Sequence, residues 1–461
     1  MANKRKIIND PVFGFLSIPN ELIYDVLQHP YVQRLNRIRQ LGLSYLVYPG
    51  AMHSRFGHSL GAMHLMQEAI QSLRLKGVPI TEEEETSAMI AILLHDIGHG
   101  PFSHVLEHTL VEGVTHEDIS LLMMHRINED LGKVQRDKVQ STKDKVQRDK
   151  VQGTKEKPLD MAIAIFKNEY PKHFLHQLIS SQLDVDRMDY LCRDSFFTGV
   201  QEGRVASERL LKMLDVRDDK LVVQVKGIYS VEKFLVARRL MYWQVYLHKT
   251  SVAAEQQLIK ILSRAKELAR NVQRDKVQRT KDKGQGNVQR DKGQGTKELF
   301  CSPALRYFLY QRVTFADFLD YSGVHSEALD QYALLDDTDV LCAIKAWIAS
   351  EDKVLSKLSA SFINRQLFRG ELIEAPLTEA QKTALNKEFA EALGIREDEA
   401  EYMWSEHVST SNTYSEKADS IGILYNDGTV RDIAEASEIL DLAALTRKPT
   451  KRYLFKYRNG I

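Results

Sequence analysis

The sequence predicts a mainly α-helical protein that ends in a smaller α+β portion. Two observations carry this. Apolar residues recur at helical spacing over 82–97, 178–197, 231–262 and 300–348, whereas strand signals are confined to 220–225 and 420–430. A chain of 461 residues with 43% hydrophobic content can also bury one large core and carry a second, smaller module.

Taken in order, Glu82 to Ile97 opens with acids suited to a helix N-terminus and closes with the apolar run of a buried core helix. Gly98, Gly100 and Pro101 break it, and Phe102 to Leu110 begins the next helix with proline in the tolerated first turn. Leu178 to Phe197 and Val231 to Leu262 follow as helices. Lys220 to Val225 (KLVVQV) is a short strand that can pair in a small hairpin, and Ser420 to Val430 is strand, turn and strand around Asn426, Asp427 and Gly428.

Two stretches break the pattern. Lys133 to Lys157 and Asn271 to Glu298 reuse VQRDK and TKDK or TKEK units and hold almost no apolar residue except valine. Such segments cannot bury enough surface to offset ordering entropy, so they are expected as surface insertions, disordered or at most transient helix. This divides the chain into a core over 1–262 interrupted at 133–157, a second insertion at 271–298, and a C-terminal α+β region over 299–461.

Lys+Arg and Asp+Glu both total 63, so no whole-molecule basic field recruits nucleic acid, which is not expected as a partner. Cys192, Cys301 and Cys342 are widely spaced and suggest no disulfide framework, as in a reducing compartment. The N-terminus lacks an apolar h-region and no run of 18 apolar residues occurs, so a cytoplasmic protein without membrane contact is expected.

Chemistry concentrates in HSRFGHSLG (53–61) and LLHDIGHGPFSHVLEH (93–108). An adjacent His95-Asp96 pair at the end of a buried helix is costly unless a cation or hydrogen-bond donors compensate, and a divalent metal does so. In LDVDRMDYLCRD, Asp186, Tyr190 and Asp194 recur at i, i+4 and i+8, while Val185, Met188 and Cys192 mark the buried side. Arg238, Tyr242 and Tyr246 follow the same spacing, and an arginine beside a metal suits a phosphate clamp. No P-loop, GxGxxG or GxSxG motif competes.

The pattern His58, His95-Asp96 and Asp186 resembles the HD-domain phosphohydrolases, whose fold is an HD-domain helical bundle. The strings INDPVFG, RIRQLG, YPGAMHSRFGHSLG, LLHDIGHGPFSH, THED, LDVDRMDYLCRD and YLHK are similar more narrowly to the deoxynucleoside triphosphate triphosphohydrolase branch, over roughly residues 7 to 262. That branch includes bacterial dGTPases and the vertebrate enzyme joining a sterile alpha motif to an HD domain.

The resemblance implies His58, His95, Asp96 and Asp186 as ligands of one divalent transition metal. Two imidazoles and two carboxylates suit Mn, Fe, Zn or Ni, with Mg an option on the nucleotide. It implies His99, His104 and Glu107 as active-site histidines and acid, and His116 as an aid to the leaving group. His104 and Glu107, at HxxE spacing, could pass a proton. Arg55, Arg187, Tyr190 and Arg238 match triphosphate-holding positions; Gln40, Asp194 and Tyr246 match sugar-reading ones, with Leu41 packed beneath.

The implied reaction is attack of water on the α-phosphorus of a dNTP, releasing the deoxynucleoside and inorganic triphosphate. The implied partners are the nucleotide substrate, a nucleotide activator and further copies of the chain in a homo-oligomer. Lys6, Asn9 and Gln33 match the regulatory surface, but Gln28 and Asn36 stand where an acid and an arginine select guanine. The rival readings are an HD enzyme acting on a nucleoside monophosphate, a cyclic nucleotide or an alarmone, and a non-enzymatic nucleotide-binding scaffold.

Overall fold

The computed structural model describes residues 6–102, 105, 109–141, 157–284, 298–319, 326–410, 420–439 and 449–458. The expected site residues His104 and Glu107 lie outside these. At the N-terminus, strands Lys6–Asp10 and Gly14–Ile18 pair as an antiparallel hairpin. Asp10 closes its turn by accepting the Val12 and Phe13 N–H groups, each at 2.9 Å.

Helix Arg55–Leu75 starts at Ser54, whose side chain accepts the Gly57 N–H. Helix Glu82–Leu94 starts in a Thr81–Glu84 capping box with four glutamates in its first turn, which satisfies orphan N–H groups and complements the helix dipole. Glu84 also binds Tyr170 and Lys172, each at 2.7 Å. Ala88 to Leu94 are at most 1% exposed, so this is the buried core helix its composition predicts.

Helix Val185–Thr198 begins at Asp184 and ends at Gly199, which takes the left-handed conformation (φ +77°). The predicted start at Leu178 is therefore corrected by seven residues' worth of turn, 178–184. Asp184 accepts the Ser181 and Arg187 N–H groups, each at 2.8 Å, and so fixes a turn before the helix. The predicted helix 231–262 is also divided. Helix Ile228–Met241 passes into a π-turn at Tyr242–Tyr246, and helix Lys249–Gly284 starts afresh.

The last helix runs through residue 262, so the expected end of the core falls within an element. It also carries helical backbone into the second repeat segment as far as Gly284, and helix His116–Ser141 enters the first. The remaining repeat residues before Lys157 and Glu298 lie outside the described ones.

The α+β expectation for the C-terminal region holds. Within the core, strands Leu214–Arg217 and Lys220–Gln224 form the expected hairpin, and in the C-terminal region Gly422–Leu424 pairs antiparallel with Val430–Asp432. These two hairpins join, because Gly422–Leu424 lies parallel to Lys220–Gln224 in one four-stranded sheet. A second sheet places Thr450–Lys456 between Arg369–Leu372 and Trp404–Thr410. One buried apolar cluster extends from Leu16 through Ile90, Met188 and Phe308 to Phe455. No described helix is long and apolar enough to cross a membrane, and the three cysteines are free.

Candidate active site

Three helices converge on four side chains. His58 comes from Arg55–Leu75, His95 and Asp96 from the end of Glu82–Leu94, and Asp186 from the first turn of Val185–Thr198. Ligand atoms of His58, His95 and Asp96 all lie within 4.8 Å of one another. Asp186 Oδ1 completes the set at 3.1 Å from His58 Nε2 and 3.3 Å from His95 Nε2.

The orientation of both imidazoles fits a metal. His95 Nδ1 donates to the Ile92 carbonyl at 2.7 Å, and His58 Nδ1 donates to Asp189 Oδ2 at 2.6 Å. With Nδ1 protonated, each Nε2 turns its lone pair into the cluster. His58 Nε2 is fully buried and makes no well-formed hydrogen bond. Two neutral imidazole nitrogens and two carboxylates are the donor set of a divalent transition metal.

The buried imidazoles and carboxylates of the cluster shift one another's ionisation. Burial pushes the His58 imidazole down, but the two neighbouring carboxylates, Asp186 and Asp189, outweigh it and lift the group to about 10. Burial likewise opposes ionisation of Asp96 and Asp186, yet His95 with His99 and Arg55, and His58 with His95, hold them below the usual carboxylate range. His99 is pushed down to about 3 by burial and by Arg55, so it is neutral. It lies 3.3 Å from Asp96 Oδ1 and stacks on His116 at 3.9 Å.

Two glycines permit this packing. A Cβ on Gly61 would overlap Asp189 and Arg193, and one on Gly98 would overlap the His116 carbonyl. Phe102 follows with φ +54°, a conformation costing a bulky residue roughly 1–3 kcal/mol and held here by burial.

A cavity of about 480 Å³ opens beside the cluster and is lined by Gln40, Leu41, Arg55, Tyr190, Asp194 and Tyr246, six of the expected substrate residues. Arg55 Nη1 is 2.5 Å from Asp96 Oδ2 at the metal end. Tyr246 donates to Asp194 Oδ2 at 2.8 Å, and its ring meets Tyr190 edge-on at 5.9 Å. Burial and Asp194 push the Tyr246 phenol well up, so it stays a donor. Tyr246 is the last residue of the π-turn, a distortion common at functional sites.

Arg187 and Arg238 do not line this cavity. Arg187 pairs with Asp184, and Arg238 donates to Gln182 at 3.1 Å. Both guanidiniums nonetheless act on the Tyr190 phenol.

Other contributors carried no sequence signal of their own. Asp189 and Arg193 are at most 1% exposed, and Arg193 bridges Asp189 to Asp10 at 2.9 and 2.8 Å. Their i, i+4 spacing, on a helix already suspected of holding a ligand, was the one available clue. Cys192, expected on the buried side, is only half-buried. The far wall of the cavity comes from Gln256 and from His407 of the C-terminal region, 3.2 Å apart.

Two segments of the chain match known protein families. Residues 55–194 match the HD domain and residues 205–332 the HD associated region. The chain is 34% identical to the uncharacterised protein YwfO of Bacillus subtilis over 372 residues, covering 80% of this chain and 72% of that one. It is 30% identical over 264 residues to the human deoxynucleoside triphosphate triphosphohydrolase SAMHD1, covering 53% of this chain and 42% of the relative. It thus spans less than half of that protein. The crystal structure of a phosphohydrolase from Bacteroides thetaiotaomicron superposes with a TM-score of 0.84 at 49% identity, covering 99% of this chain and all of that one. The chain belongs to the HD-domain family of phosphohydrolases.

Proposed function

We propose that the protein hydrolyses deoxynucleoside triphosphates to the deoxynucleoside and inorganic triphosphate. The observation that carries this reading is a single cavity lined by Arg55, which pairs with Asp96 of the metal cluster, and by the Asp194–Tyr246 pair with Gln40. A phosphate chain suits the first, a sugar the second.

When bound at His58, His95, Asp96 and Asp186, a divalent cation supplies Lewis-acid activation of water and neutralises phosphoryl charge. Arg55 binds an α-phosphate oxygen from its place beside Asp96. Arg187 and Arg238, which exchange Asp184 and Gln182 for phosphate oxygens, hold the β- and γ-phosphates. His99, held beside Asp96, stacks on His116, which delivers a proton to the departing 5′-oxygen. His104 and Glu107 are assigned by resemblance alone. The reading extends to a cytoplasmic homo-oligomer with a nucleotide activator at the surface of Lys6, Asn9 and Gln33.

The test is incubation with each of the four dNTPs and Mn²⁺, followed by separation of products. Inorganic triphosphate is expected. Release of phosphate or pyrophosphate, or turnover of a nucleoside monophosphate in preference to every dNTP, overturns the reading and favours an HD enzyme of another phosphoester.

A further inference from the structure

The dNTP reading leaves unexplained a buried histidine that touches neither the metal cluster nor the phosphate-binding arginines. His53 sits just before the Arg55–Leu75 helix, 7% exposed, with its ring stacked on Phe197 at 4.5 Å and 16°. Its Nε2 lies 2.8 Å from Asp194 Oδ1, and its Nδ1 has no hydrogen-bond partner. The tautomer follows: the proton is on Nε2 and is donated to the carboxylate. The backbone carbonyl of the same residue accepts the Gln40 N–H at 3.0 Å.

We infer that His53 is the positioning residue for reading a sugar hydroxyl, because it fixes Asp194 through its ring and Gln40 through its backbone. Asp194 receives one donor on each oxygen, from His53 and from Tyr246. A carboxylate oxygen has a second lone pair, so both retain capacity toward the cavity. Gln40 Oε1 is buried there without a partner. Acceptors of this kind repel phosphate oxygens and require a ligand that donates. A nucleoside 3′-hydroxyl donates, and a dideoxynucleoside has nothing to offer.

The structure also says why the histidine is needed. Asp194 and Gln40 lie on separate segments, and no other described hydrogen bond links both to one residue. Without His53, the carboxylate keeps Tyr246 alone and can rotate away from Gln40. The inference rests on the deoxynucleotide reading, and its test is built to fail separately from it.

Equilibrium binding of 2′-deoxyadenosine and 2′,3′-dideoxyadenosine to the intact protein is compared with kcat/KM for the corresponding triphosphates with Mn²⁺. Wild type is expected to favour the 3′-hydroxyl at least tenfold in both. His53→Ala is expected to lose most of that preference, chiefly through KM, with metal content unchanged. His53→Gln, whose amide can still reach Asp194, is expected to recover part of it. Should His53→Ala prove insoluble, His53→Asn keeps a polar filler too short to reach the carboxylate, and its preference is expected to collapse likewise. Full wild-type preference in the soluble Ala or Asn variant overturns the assignment, as does equal binding of both nucleosides by wild type. If wild type favours deoxyadenosine but releases no triphosphate, the reaction class is wrong while the hydroxyl-reading role stands.

Discussion

His58 Nδ1 and Asp189 Oδ2 lie 2.6 Å apart, and both side chains are inaccessible to solvent. The pair fixes the rotation of the first metal ligand. Asp189 is in turn held by Arg193, which reaches the hairpin residue Asp10. A carboxylate behind a ligating imidazole raises its basicity and sets its tautomer.

Asp189→Asn is accordingly expected to weaken Mn²⁺ binding by about 10- to 100-fold, the usual effect of losing such a partner. Metal titration of the folded variant measures this. An unchanged affinity would show that packing alone orients His58.

Asp186→Ala is expected to abolish stoichiometric metal uptake while leaving the helical spectrum intact. The residue is partly exposed and begins its helix, so its loss removes a ligand without opening the core. Elemental analysis of the purified variant decides the matter, and one bound metal per chain would remove Asp186 from the ligand set.

Sugar selection is expected to favour dNTPs over NTPs by roughly ten- to a hundredfold. Tyr246 and Leu41 wall the cavity, so a ribose 2′-hydroxyl packed there would lose a hydrogen bond, at about 1–3 kcal/mol. Arg238→Lys should not restore the kcat/KM lost in Arg238→Ala if the phosphate contact is bidentate. Competing dATP against ATP checks the first claim, and equal cleavage contradicts it.

Asp337 makes the stability of the fold depend on pH. Burial pushes its carboxyl up to about 6, against the hydrogen bonds it accepts from Arg39. A raised pKa means that the fold prefers the protonated form. Its contribution is therefore complete below about pH 4 and is lost as pH rises through 6. Asp337→Asn, which mimics the protonated group, is expected to gain on wild type by about 1–3 kcal/mol between pH 4 and pH 7.5. Urea unfolding at both values measures it, and a difference independent of pH contradicts it.

Replacing the VQRDK-type residues 142–156 and 285–297 with short Gly/Ser linkers is expected to leave melting temperature and turnover nearly unchanged, since their composition offers almost no apolar surface to bury. The cut points spare the helices that end at Ser141 and Gly284. Collapse of soluble expression in the double replacement would assign the repeats a structural role.

The sequence by itself determined the helical class, the His95-Asp96 pair at the end of an apolar helix, and the Asp186, Tyr190 and Asp194 stripe. Each is a matter of local spacing, and spacing dictates which residues share a helix face. It also determined two hairpins, at 214–224 and 422–432, whose strands are neighbours along the chain. Only the tertiary structure decided which distant groups meet. His58 and Asp189 are 131 residues apart, and His53 and Asp194 are 141 apart. Hydrophobic periodicity marks faces as buried through their apolar residues, so Asp189 and Arg193, polar and fully buried, fell outside what it can register. The π-turn that ends at Tyr246, and the docking of His407 against Gln256, likewise follow from long-range packing that no local pattern encodes.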